Sequence, residues 1–546
     1  MSRLSAREVI DVLVDEGSWA SWDVTLPDVG ASTEYANELA CARAKTGVDE
    51  SVLTGGASIL GHRVAIAVCE FGFLGGSIGV HAADRLTTAI RRATAERLPL
   101  LVLPTSGGTR MQEGTTAFLQ MVRITAAVAD HKAAALPYLV YQRHPTTGGV
   151  FASWGSLGHL TLAEPGALIG FLGPRVYEAL HGRPFPLGVQ TAENLYRHGL
   201  LDAVCRPDEL ACIVAGALDI VWAPQRAPFV TPVLDRTRDA VPAWTSVQAS
   251  RHPKRPGVRD LLAAAATGVV ALHGTGQGEV DAGLIVALAR FDDVSCVLLG
   301  QDRLAQANTP IGPAALRLAR RGMRLAAELR LPLVSIIDTP GGALSREAEE
   351  GGVAGEIARC IADMIALDVP TVSVLLGQGT GGAALALFPA DRMLGATHGW
   401  LSPLPPEGAS AIMHHTTQRA PEVADRQGIR SADLLADGAI DDIIPEYPDA
   451  RREPEQFCIR VAAAVRHELA SLATLDSATR LRRRIQRFDM LLTPTPAVTA
   501  ERLRFWNLRL NHVKPLETPQ PRTHASESHG RTRRSLSHPR TVEVGA

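Results

Sequence analysis

The sequence contains one layout of residues twice. The stretch from Leu98 to Trp154 reads LPLLVLPTSGGTRMQEG…LPYLVYQRHPTTGGVFASW, and the stretch from Leu331 to Leu387 reads LPLVSIIDTPGG…VPTVSVLLGQGTGGAALAL. Adding 233 to a residue number carries Pro137 onto Pro370, and the same offset aligns the glycine pairs of both stretches. Solenoid repeats run to roughly 20 to 50 residues, so a period this long indicates tandem domains. The chain is therefore predicted to hold two copies of one domain.

Composition narrows the class of protein. Apolar residues make up 46% of the 546 residues, which is enough for two buried cores, and the formal net charge of −2 indicates neither a nucleic-acid partner nor a membrane-surface partner. The seven cysteines are scattered and never form C-x-x-C, so neither a zinc site nor a disulfide framework is predicted. The N-terminal stretch interleaves charges with apolar residues, and no uncharged apolar run of about 18 residues occurs. We therefore expect no signal peptide, no membrane span and a cytoplasmic location.

Each copy alternates predicted strands with predicted helices. In the first copy, VLTGGASILGHRVAIAVCEF is typical of a strand pair, and LPLLVLP and PYLVYQ are typical of further buried strands. Helices are predicted between them, over 81–96 and 114–135. Apolar runs without alternation indicate strands that are covered on both faces. The predicted fold class is therefore α/β.

Shifts in composition set the predicted domain boundaries. The stretch 223–256 is rich in proline and lacks periodicity, which indicates a connection between the two copies. Beyond residue 514 the chain is polar and rich in proline, serine and histidine, which predicts disorder. The predicted segments are a helical segment 1–50, a first domain 51–235, a linker 236–257, a second domain 258–475, C-terminal helices 476–513 and a disordered tail 514–546.

Two short motifs raise alternative functions. Gly75 to Gly79 matches G-x-S-x-G, the nucleophile elbow of serine hydrolases, with Ser77 as the nucleophile. The equivalent of Ser77 in the second copy is Pro310, which has no hydroxyl, so the repeat does not favour a hydrolase. Gly377 to Gly382 matches the dinucleotide-binding pattern G-x-G-x-x-G, but the acidic residue required about 20 positions further on is missing. A nicotinamide enzyme is therefore not favoured either.

Both copies keep two glycine-containing loops, and each loop follows a predicted strand. The loop glycines are Gly107, Gly108, Gly148 and Gly149 in the first copy and Gly341, Gly342, Gly381 and Gly382 in the second. One interpretation is that they only allow tight turns and close packing. The other is that backbone N–H groups at helix starts point at a ligand, and that two adjacent loops donate to one oxygen and stabilise an oxyanion. Recurrence at matching positions favours the second interpretation.

Longer motifs surround these loops. The first copy contains FGFLGGSIG, SGGTRMQEG and PTTGGVFASWGSLGHLTLAEPGALIGFLGPRV, and the second contains IDTPGG…EAEEGG, GQGTGGAALAL and LSPLPPEGASAI. The first set resembles the β subunit of bacterial acetyl-CoA carboxylase carboxyltransferase, and the second set resembles its α subunit. The similarity covers about residues 51–445, in the order expected of a β–α fusion. It implies two tandem crotonase-like α/β domains with spiral ββα units.

The resemblance also implies a reaction and a site. The family transfers CO2 from carboxybiotin on a carrier protein to the α-carbon of acetyl-CoA, giving malonyl-CoA, and it needs one oxyanion hole for each substrate. By resemblance, the acyl-CoA hole contains Gly148 and Gly149 with Gly107 and Gly108 nearby, and the biotin hole contains Gly381, Gly382 and Ala383. The residues expected to bind CoA are Phe73, Gly75, Gly76, Ser77 and Arg110. Whether Arg110 contacts phosphate or pairs with a carboxylate such as Glu113 stays open.

Partners follow from the same resemblance. The family's active site lies between the first domain of one protomer and the second domain of another, which implies a homodimer or a higher homo-oligomer. A biotin carboxyl carrier protein and a biotin carboxylase are expected as separate partners, because the chain has no biotin-attachment sequence and no ATP-binding module. No zinc is expected, since nothing resembles the family's zinc ribbon. Gln378 replaces an acid of the α subunit, which leaves open a malonyl-thioester decarboxylase or a catalytically silent CoA-binding scaffold.

Overall fold

A computed structural model describes residues 3–25, 33–222 and 241–491 of the chain. Within these residues, two large β-sheets follow each other along the chain, and helices pack around both. The predicted tail 514–546 and the part of the predicted C-terminal helices beyond residue 491 lie outside the described residues. No helix in the described part is both long enough and apolar enough to cross a membrane.

The first sheet has the strand order β1-β2-β3-β4-β5-β7-β9, and β6 pairs with β8 in a separate small sheet. These strands are β1 (Ala20–Ser21), β2 (Val52–Ile59), β3 (His62–Cys69), β4 (Leu100–Leu103), β5 (Tyr138–Gln142), β6 (Thr146–Thr147), β7 (Leu160–Ala163), β8 (Ile169–Gly170) and β9 (Ala203–Val204). The predicted strand pair is confirmed, because β2 and β3 are antiparallel, and the strands from β3 to β9 are parallel.

The second sheet has the order β10-β11-β12-β13-β14-β15-β17, with β16 beside the end of β14. These strands are β10 (Gly268–Leu272), β11 (Leu284–Phe291), β12 (Val294–Gln301), β13 (Leu333–Thr339), β14 (Thr371–Thr380), β15 (Arg392–Ala396), β16 (Trp400–Ser402) and β17 (Asp442–Ile444). It repeats the first sheet, since an antiparallel pair again leads into parallel strands. The continuous apolar runs that predicted an α/β fold are these parallel strands, which are buried on both faces.

Helices connect and cover the strands. In the first half they are α1 (Ala6–Leu13), α2 (Thr33–Thr46), α3 (Val80–Ala95), α4 (Gly114–Ala133), α5 (Gly148–Phe151), α6 (Pro174–His181), α7 (Ala192–Arg197) and α8 (Pro207–Val221). In the second half they are α9 (Ala243–Ser250), α10 (Val258–Ala265), α11 (Arg303–Gln306), α12 (Pro313–Leu329), α13 (Arg346–Glu350), α14 (Val353–Ala366), α15 (Gly381–Leu385), α16 (Pro406–His414), α17 (Ala420–Gln427), α18 (Ser431–Ala436), α19 (Pro454–Ala473) and α20 (Ser477–Leu491). The predicted helices 81–96 and 114–135 correspond to α3 and α4.

The two halves share a core. The largest hydrophobic cluster contains buried residues of both sheets, including Leu139 and Leu218 of the first half and Leu288 and Leu325 of the second. Helix α8 lies at this seam, where a cavity of only about 10 Å³ remains. Interiors packed this closely behave as one unit. The boundaries 51–235 and 258–475 stay predictions, because they do not coincide with a gap in packing.

The predicted linker 236–257 contains a packed helix within its described part. Helix α9 places Ala243 and Val247 in a buried cluster with Trp400 of β16. The indole Nε1–H of Trp400 donates to Ser250 Oγ at 2.8 Å. This segment therefore belongs to the second half and reaches the end of its sheet.

An ion pair crosses the seam between the halves. Glu328 Oε2 of α12 lies 3.2 Å from His159 Nε2 and 3.1 Å from Lys132 Nζ. His159 Nδ1 accepts the N–H of Tyr138, so the neutral ring carries its proton on Nε2, the nitrogen that lies beside Glu328. The close contact with His159 is the largest cause that lowers the pKa of Glu328, from 4.5 to about 2.

Glu328→Gln is expected to reduce the free energy of unfolding near neutral pH. Since the folded carboxyl releases its proton more readily than the unfolded one, its contribution is complete above pH 4.5 and is lost as the pH falls toward about 2. Urea unfolding at a series of pH values measures the difference from the unsubstituted protein, which should shrink below pH 4.5. Glu350→Gln, in an exposed pair with Arg346, is the control and should change little. A difference that does not vary with pH would contradict the assignment.

Candidate active site

Two loops of the first half meet above the ends of β4 and β5. A Cβ built on Gly108 would lie 3.3 Å from Gly149 N, so the backbones of the two loops touch. Gly148 has φ +65°, and a Cβ there would lie 3.1 Å from Gly107 O. A side chain at Gly148 is therefore excluded by both the dihedral and the space. The loop with Gly107 and Gly108 and the loop with Gly148 and Gly149 therefore lie side by side, as the sequence predicted.

Internal hydrogen bonds correct part of the predicted donor set. Gly107 N–H donates to Gly75 O at 2.9 Å, and Gly148 N–H donates to Phe171 O at 3.0 Å. Gly108 N–H donates to Ser106 Oγ at 2.9 Å. These three N–H groups are used within the chain and cannot also point at a substrate oxygen. Gly107, Gly108 and Gly148 therefore stabilise the conformation of the loops and do not donate hydrogen bonds to a substrate.

Two amides of the first half stay available. None of the hydrogen bonds made among the described residues uses the N–H of Thr109 or Gly149. Gly149 lies in the first turn of α5, where a helix leaves its N–H groups without intrahelical partners. A Cβ on Gly149 would lie 3.1 Å from Thr109 Oγ1, so the two residues are neighbours, and both are partly exposed. We call these two N–H groups the first amide pair.

The second half repeats this arrangement. Gly341 N–H donates to Thr339 Oγ1 at 3.1 Å, as Gly108 donates to Ser106. The N–H groups of Gly342 and Gly382 take part in none of the hydrogen bonds among the described residues, and we call them the second amide pair. A Cβ on Gly342 would lie 3.8 Å from the Cβ of Ala383, so the loops are adjacent here too.

Gly381 and Ala383, the other predicted members of this hole, flank the second pair. Gly381 has φ +66°, matching the φ of +65° at Gly148. Ala383 is buried, and its carbonyl accepts a hydrogen bond from Gln301 at 2.8 Å. The offset of 233 therefore holds in hydrogen bonding and dihedral angles as well as in sequence.

The predicted CoA-binding turn packs onto the first loops. Phe73 is fully buried in the core, so this chain offers no face of its ring to a ligand, and that assignment is corrected. Gly76 is pressed against the backbone, since a Cβ there would lie 2.1 Å from Thr105 O. Gly75 accepts the N–H of Gly107 and has open space on its Cα, while Ser77 is partly exposed. Of the four, Gly75 and Ser77 are the ones that a ligand can reach.

Arg110 is paired with carboxylates. It is buried and forms an ion pair with Glu50, and Glu113 lies 3.4 Å away. Burial opposes its charge, but the Glu50 carboxylate more than offsets this and raises the pKa of Arg110. Of the two roles that the sequence left open, the structure has the carboxylate pairing, with Glu50 as the main partner.

A cavity of about 720 Å³ lies beside α2 and the start of α3, next to this arginine. Its lining includes Glu34, Glu38, Glu50 and Glu113. A phosphate group in this cavity would meet these carboxylates. Arg43 and Arg110 also line this cavity, which is next to the predicted CoA-binding turn, and no residue of either amide pair belongs to its lining.

The two alternative motifs lack their required surroundings. Ser77 Oγ accepts a hydrogen bond from Arg110 Nε at 3.3 Å, and no histidine bonds to it among the described residues. Gly377 and Gly379 lie inside β14, whereas the dinucleotide pattern needs its glycines in the turn between strand and helix. Neither a serine nucleophile nor a pyrophosphate cradle is formed.

Sequence reasoning missed three residues around the amide pairs, and it named Gly342 only as a loop glycine. Thr109 is equivalent to Gly342 under the offset of 233, and that equivalence was a usable signal. Arg251 and Glu407 form an ion pair beside the second loops, with Nη1 to Oε1 at 2.5 Å. They are 156 positions apart, and nothing local in the sequence connects them.

Solved structures share this arrangement of two sheets. Transcarboxylase 12S, solved as a hexamer with methylmalonyl-CoA and methylmalonic acid bound, superposes with a TM-score of 0.67, covering 86% of this chain and 90% of that chain at 21% identity. A single-chain, multi-domain long-chain acyl-CoA carboxylase gives a TM-score of 0.63 over 83% of this chain and 46% of that chain at 20% identity. The fold is the crotonase-like α/β fold that the sequence motifs implied.

The sequence itself identifies the family. Residues 1–485 match the model of the carboxyl transferase domain, so the chain belongs to the carboxyl transferase family. A probable biotin-dependent acyl-coenzyme A carboxylase beta3 subunit of Mycobacterium tuberculosis is 58% identical over 496 residues, which cover 90% of this chain and 100% of that protein. The acetyl-coenzyme A carboxylase carboxyl transferase subunits beta/alpha of Salinispora arenicola are 37% identical over 511 residues, covering 89% of this chain and 90% of that protein.

Proposed function

We propose that this protein is the carboxyltransferase of a biotin-dependent acyl-CoA carboxylase and that it carboxylates acetyl-CoA to malonyl-CoA. The observation that carries the proposal is the recurrence of one amide pair in each half, at equivalent positions and without internal acceptors. A transfer between two carbonyl compounds needs two such sites, one for each oxygen that gains negative charge. The names of the relatives support the same class of reaction.

The first amide pair serves the acyl-CoA. Thr109 and Gly149 donate their N–H groups to the thioester oxygen, which becomes negative when the α-proton leaves. Fixed backbone dipoles stabilise this charge without reorganisation, and one such donor lowers the barrier by about 3 to 4 kcal/mol. Gly75 and Ser77 flank the approach and contact the pantetheine chain or the nucleotide of CoA.

The second amide pair serves the biotin side. Carboxybiotin, delivered by a separate carrier protein, supplies the CO2 and the base that takes the α-proton. Gly342 and Gly382, together with the first turn of α15, bind the ureido oxygen and stabilise its charge. Leu344, Leu385 and Leu404 are exposed apolar residues near these loops, and they exclude water from the transferred CO2.

The two amide pairs work together in a homodimer. Helix α4 exposes a ridge of Phe118, Leu119 and Val122, whose side chains are 59%, 58% and 68% exposed. The positions equivalent to these three residues in the second half are Gly351, Gly352 and Gly355, at the start of α14. An apolar ridge and a glycine surface at equivalent positions are complementary. The ridge of one protomer packs against the glycine surface of its partner, twice in a two-fold dimer, and each active site combines the two halves.

Malonyl-CoA decarboxylation with free biotin tests this function in the reverse direction. The proposal expects turnover only when biotin is present, and acetyl-CoA as product. Turnover without biotin would favour a malonyl-thioester decarboxylase, and no turnover would favour a CoA-binding scaffold. Propionyl-CoA and longer acyl-CoAs, tested in the forward direction with the biotinylated carrier and the biotin carboxylase, then decide the acyl specificity. A higher kcat/KM for a longer chain than for acetyl-CoA would contradict that part of the proposal.

A further inference from the structure

We propose that Arg251 is a positioning residue for the second amide pair, acting through Gln378 and Glu407. Arg251 Nε donates to Gln378 Oε1 at 3.1 Å, and its two terminal nitrogens donate to Glu407 at 2.5 and 3.1 Å. Since Gln378 lies in β14 and Glu407 in the first turn of α16, one guanidinium joins two separate elements. The catalytic consequence rests on the proposed function, whereas the structural part does not.

The two partners of Arg251 come before and after Gly381 and Gly382 in the chain. Gln378 precedes Gly381 by three positions, and β16 pairs with β14 from Gln378 to Thr380. The chain then turns into α16, and a Cβ on Gly381 would lie 3.3 Å from Pro403 O. The separation between the end of β14 and the start of α16 therefore sets the direction of the N–H groups at the start of α15.

Gln378 is fixed by its backbone as well as its side chain. Its N–H donates at 3.0 Å to Oδ1 of Asp338, a fully buried carboxylate. Burial raises the pKa of Asp338, and the charge of Arg303 partly offsets this. Gln378 is thus fixed by two hydrogen bonds, one from its backbone N–H to Asp338 and one from Arg251 to its side-chain oxygen. Its amide side chain connects Arg251 to β14 at the position where the family's α subunit has an acid.

The charge of Arg251 is matched by Glu407. The hydrogen bond from Arg251 is the largest cause that lowers the pKa of Glu407. The two side chains are 32% and 35% exposed, so solvent screens the pair only in part. A guanidinium can hold a carboxylate with two nitrogens and an amide with a third, whereas an ammonium offers a single point charge.

Neighbouring arginines hold the segment that carries Arg251. Arg303 donates to the carbonyls of Ser250, His252 and Arg255, and Arg255 forms a fully buried ion pair with Glu446 at 2.7 Å. Arg303 and Arg255 are almost fully buried and contact only other residues of the chain, so their role is structural. Arg251 differs because it faces the site from a segment that is already fixed.

Arg251→Met is the main test of the kinetic part. In biotin-dependent decarboxylation of malonyl-CoA we expect kcat/KM for biotin to fall by about 10- to 100-fold, because small misplacements of a positioned group have effects of this size. The KM for malonyl-CoA should stay unchanged, because the first amide pair lies in the other half. Arg251→Lys should recover only part of the loss, and exchange of the pair in Arg251→Glu/Glu407→Arg should recover more.

Arg392→Met is the matched control. Arg392 is also partly exposed and pairs with two carboxylates, Asp441 and Glu468, on β15 away from the loops. The Arg392→Met variant removes the same charge and should leave both kcat/KM for biotin and the KM for malonyl-CoA unchanged. A parallel change of both constants in Arg251→Met, or an effect of equal size in Arg392→Met, would overturn the proposal.

Hydrogen–deuterium exchange separates this inference from the proposed function. In Arg251→Met the amides of 380–385 should exchange faster than in the unsubstituted protein, while those of 147–151 should not change. This holds even if the protein shows no turnover with biotin, in which case the proposed function alone fails. Unchanged exchange over 380–385 would show that Arg251 does not position the second loops.

Discussion

Gly149→Pro is expected to lower kcat by about 100- to 1,000-fold relative to Gly149→Ala, which corresponds to about 2.7 to 4 kcal/mol. Both variants add a Cβ that would lie 3.1 Å from Thr109 Oγ1 and 3.3 Å from Met121 Cγ, so they share the steric change at Cβ, and proline adds its ring carbons Cγ and Cδ. Only proline removes the N–H. The backbone tolerates it there, since Gly149 lies in the first turn of α5 and has no positive φ.

The rate of malonyl-CoA decarboxylation with biotin measures this difference, and circular dichroism with thermal unfolding checks that both variants fold alike. Equal kcat in the two variants would show that Gly149 N–H is not a donor to the substrate. A loss that appears only in the KM for malonyl-CoA would assign that N–H to ground-state binding instead.

Val122→Asp is expected to weaken self-association by about 100-fold or more, since an unpaired charge at a desolvated contact costs about 3 to 5 kcal/mol. Val122 is the most exposed residue of the apolar ridge on α4, with 68% of its surface exposed in the single chain, so the change leaves the core of the protomer intact. Carboxyl transfer should fall in parallel, because each proposed active site needs both halves.

Sedimentation of the purified protein over a range of concentrations measures this association. Leu60→Asp is the control, because Leu60 is 56% exposed at the turn between β2 and β3 and its positive φ suits aspartate. It should sediment as the unsubstituted protein does. A Val122→Asp variant with unchanged mass and full activity would exclude α4 from the contact.

The repeat made much of the site readable from the sequence. The offset of 233 relates Gly148 and Gly149, which begin α5, to Gly381 and Gly382, which begin α15, and Gly148 and Gly381 have almost the same φ because the same turn is built twice. The sequence did not reveal which N–H groups are free. The Ser106 hydroxyl accepts the N–H of Gly108 and the Thr339 hydroxyl accepts the N–H of Gly341. Whether these two N–H groups are used depends on side-chain rotamers, which the sequence does not show.

Long-range contacts explain the remaining differences. Proline-rich composition predicted a linker over 236–257, but helix α9 lies within that stretch and is stabilised by Trp400, 150 positions from Ser250. Arg110 could be assigned to a carboxylate or a phosphate with equal reason until Glu50, 60 positions away, was seen beside it. Such contacts depend on how the fold brings distant parts of the chain together. The local pattern of apolar residues shows only which side of a helix or strand is buried.

The common core of the two halves limits how this protein can be made. Each half has a buried cluster of its own, but the largest cluster joins both sheets around α8, so this common part of the interior is complete only when both halves are present. Genes that encode the halves separately would have to produce them in equal number and at the same time. A continuous chain fixes that ratio by itself.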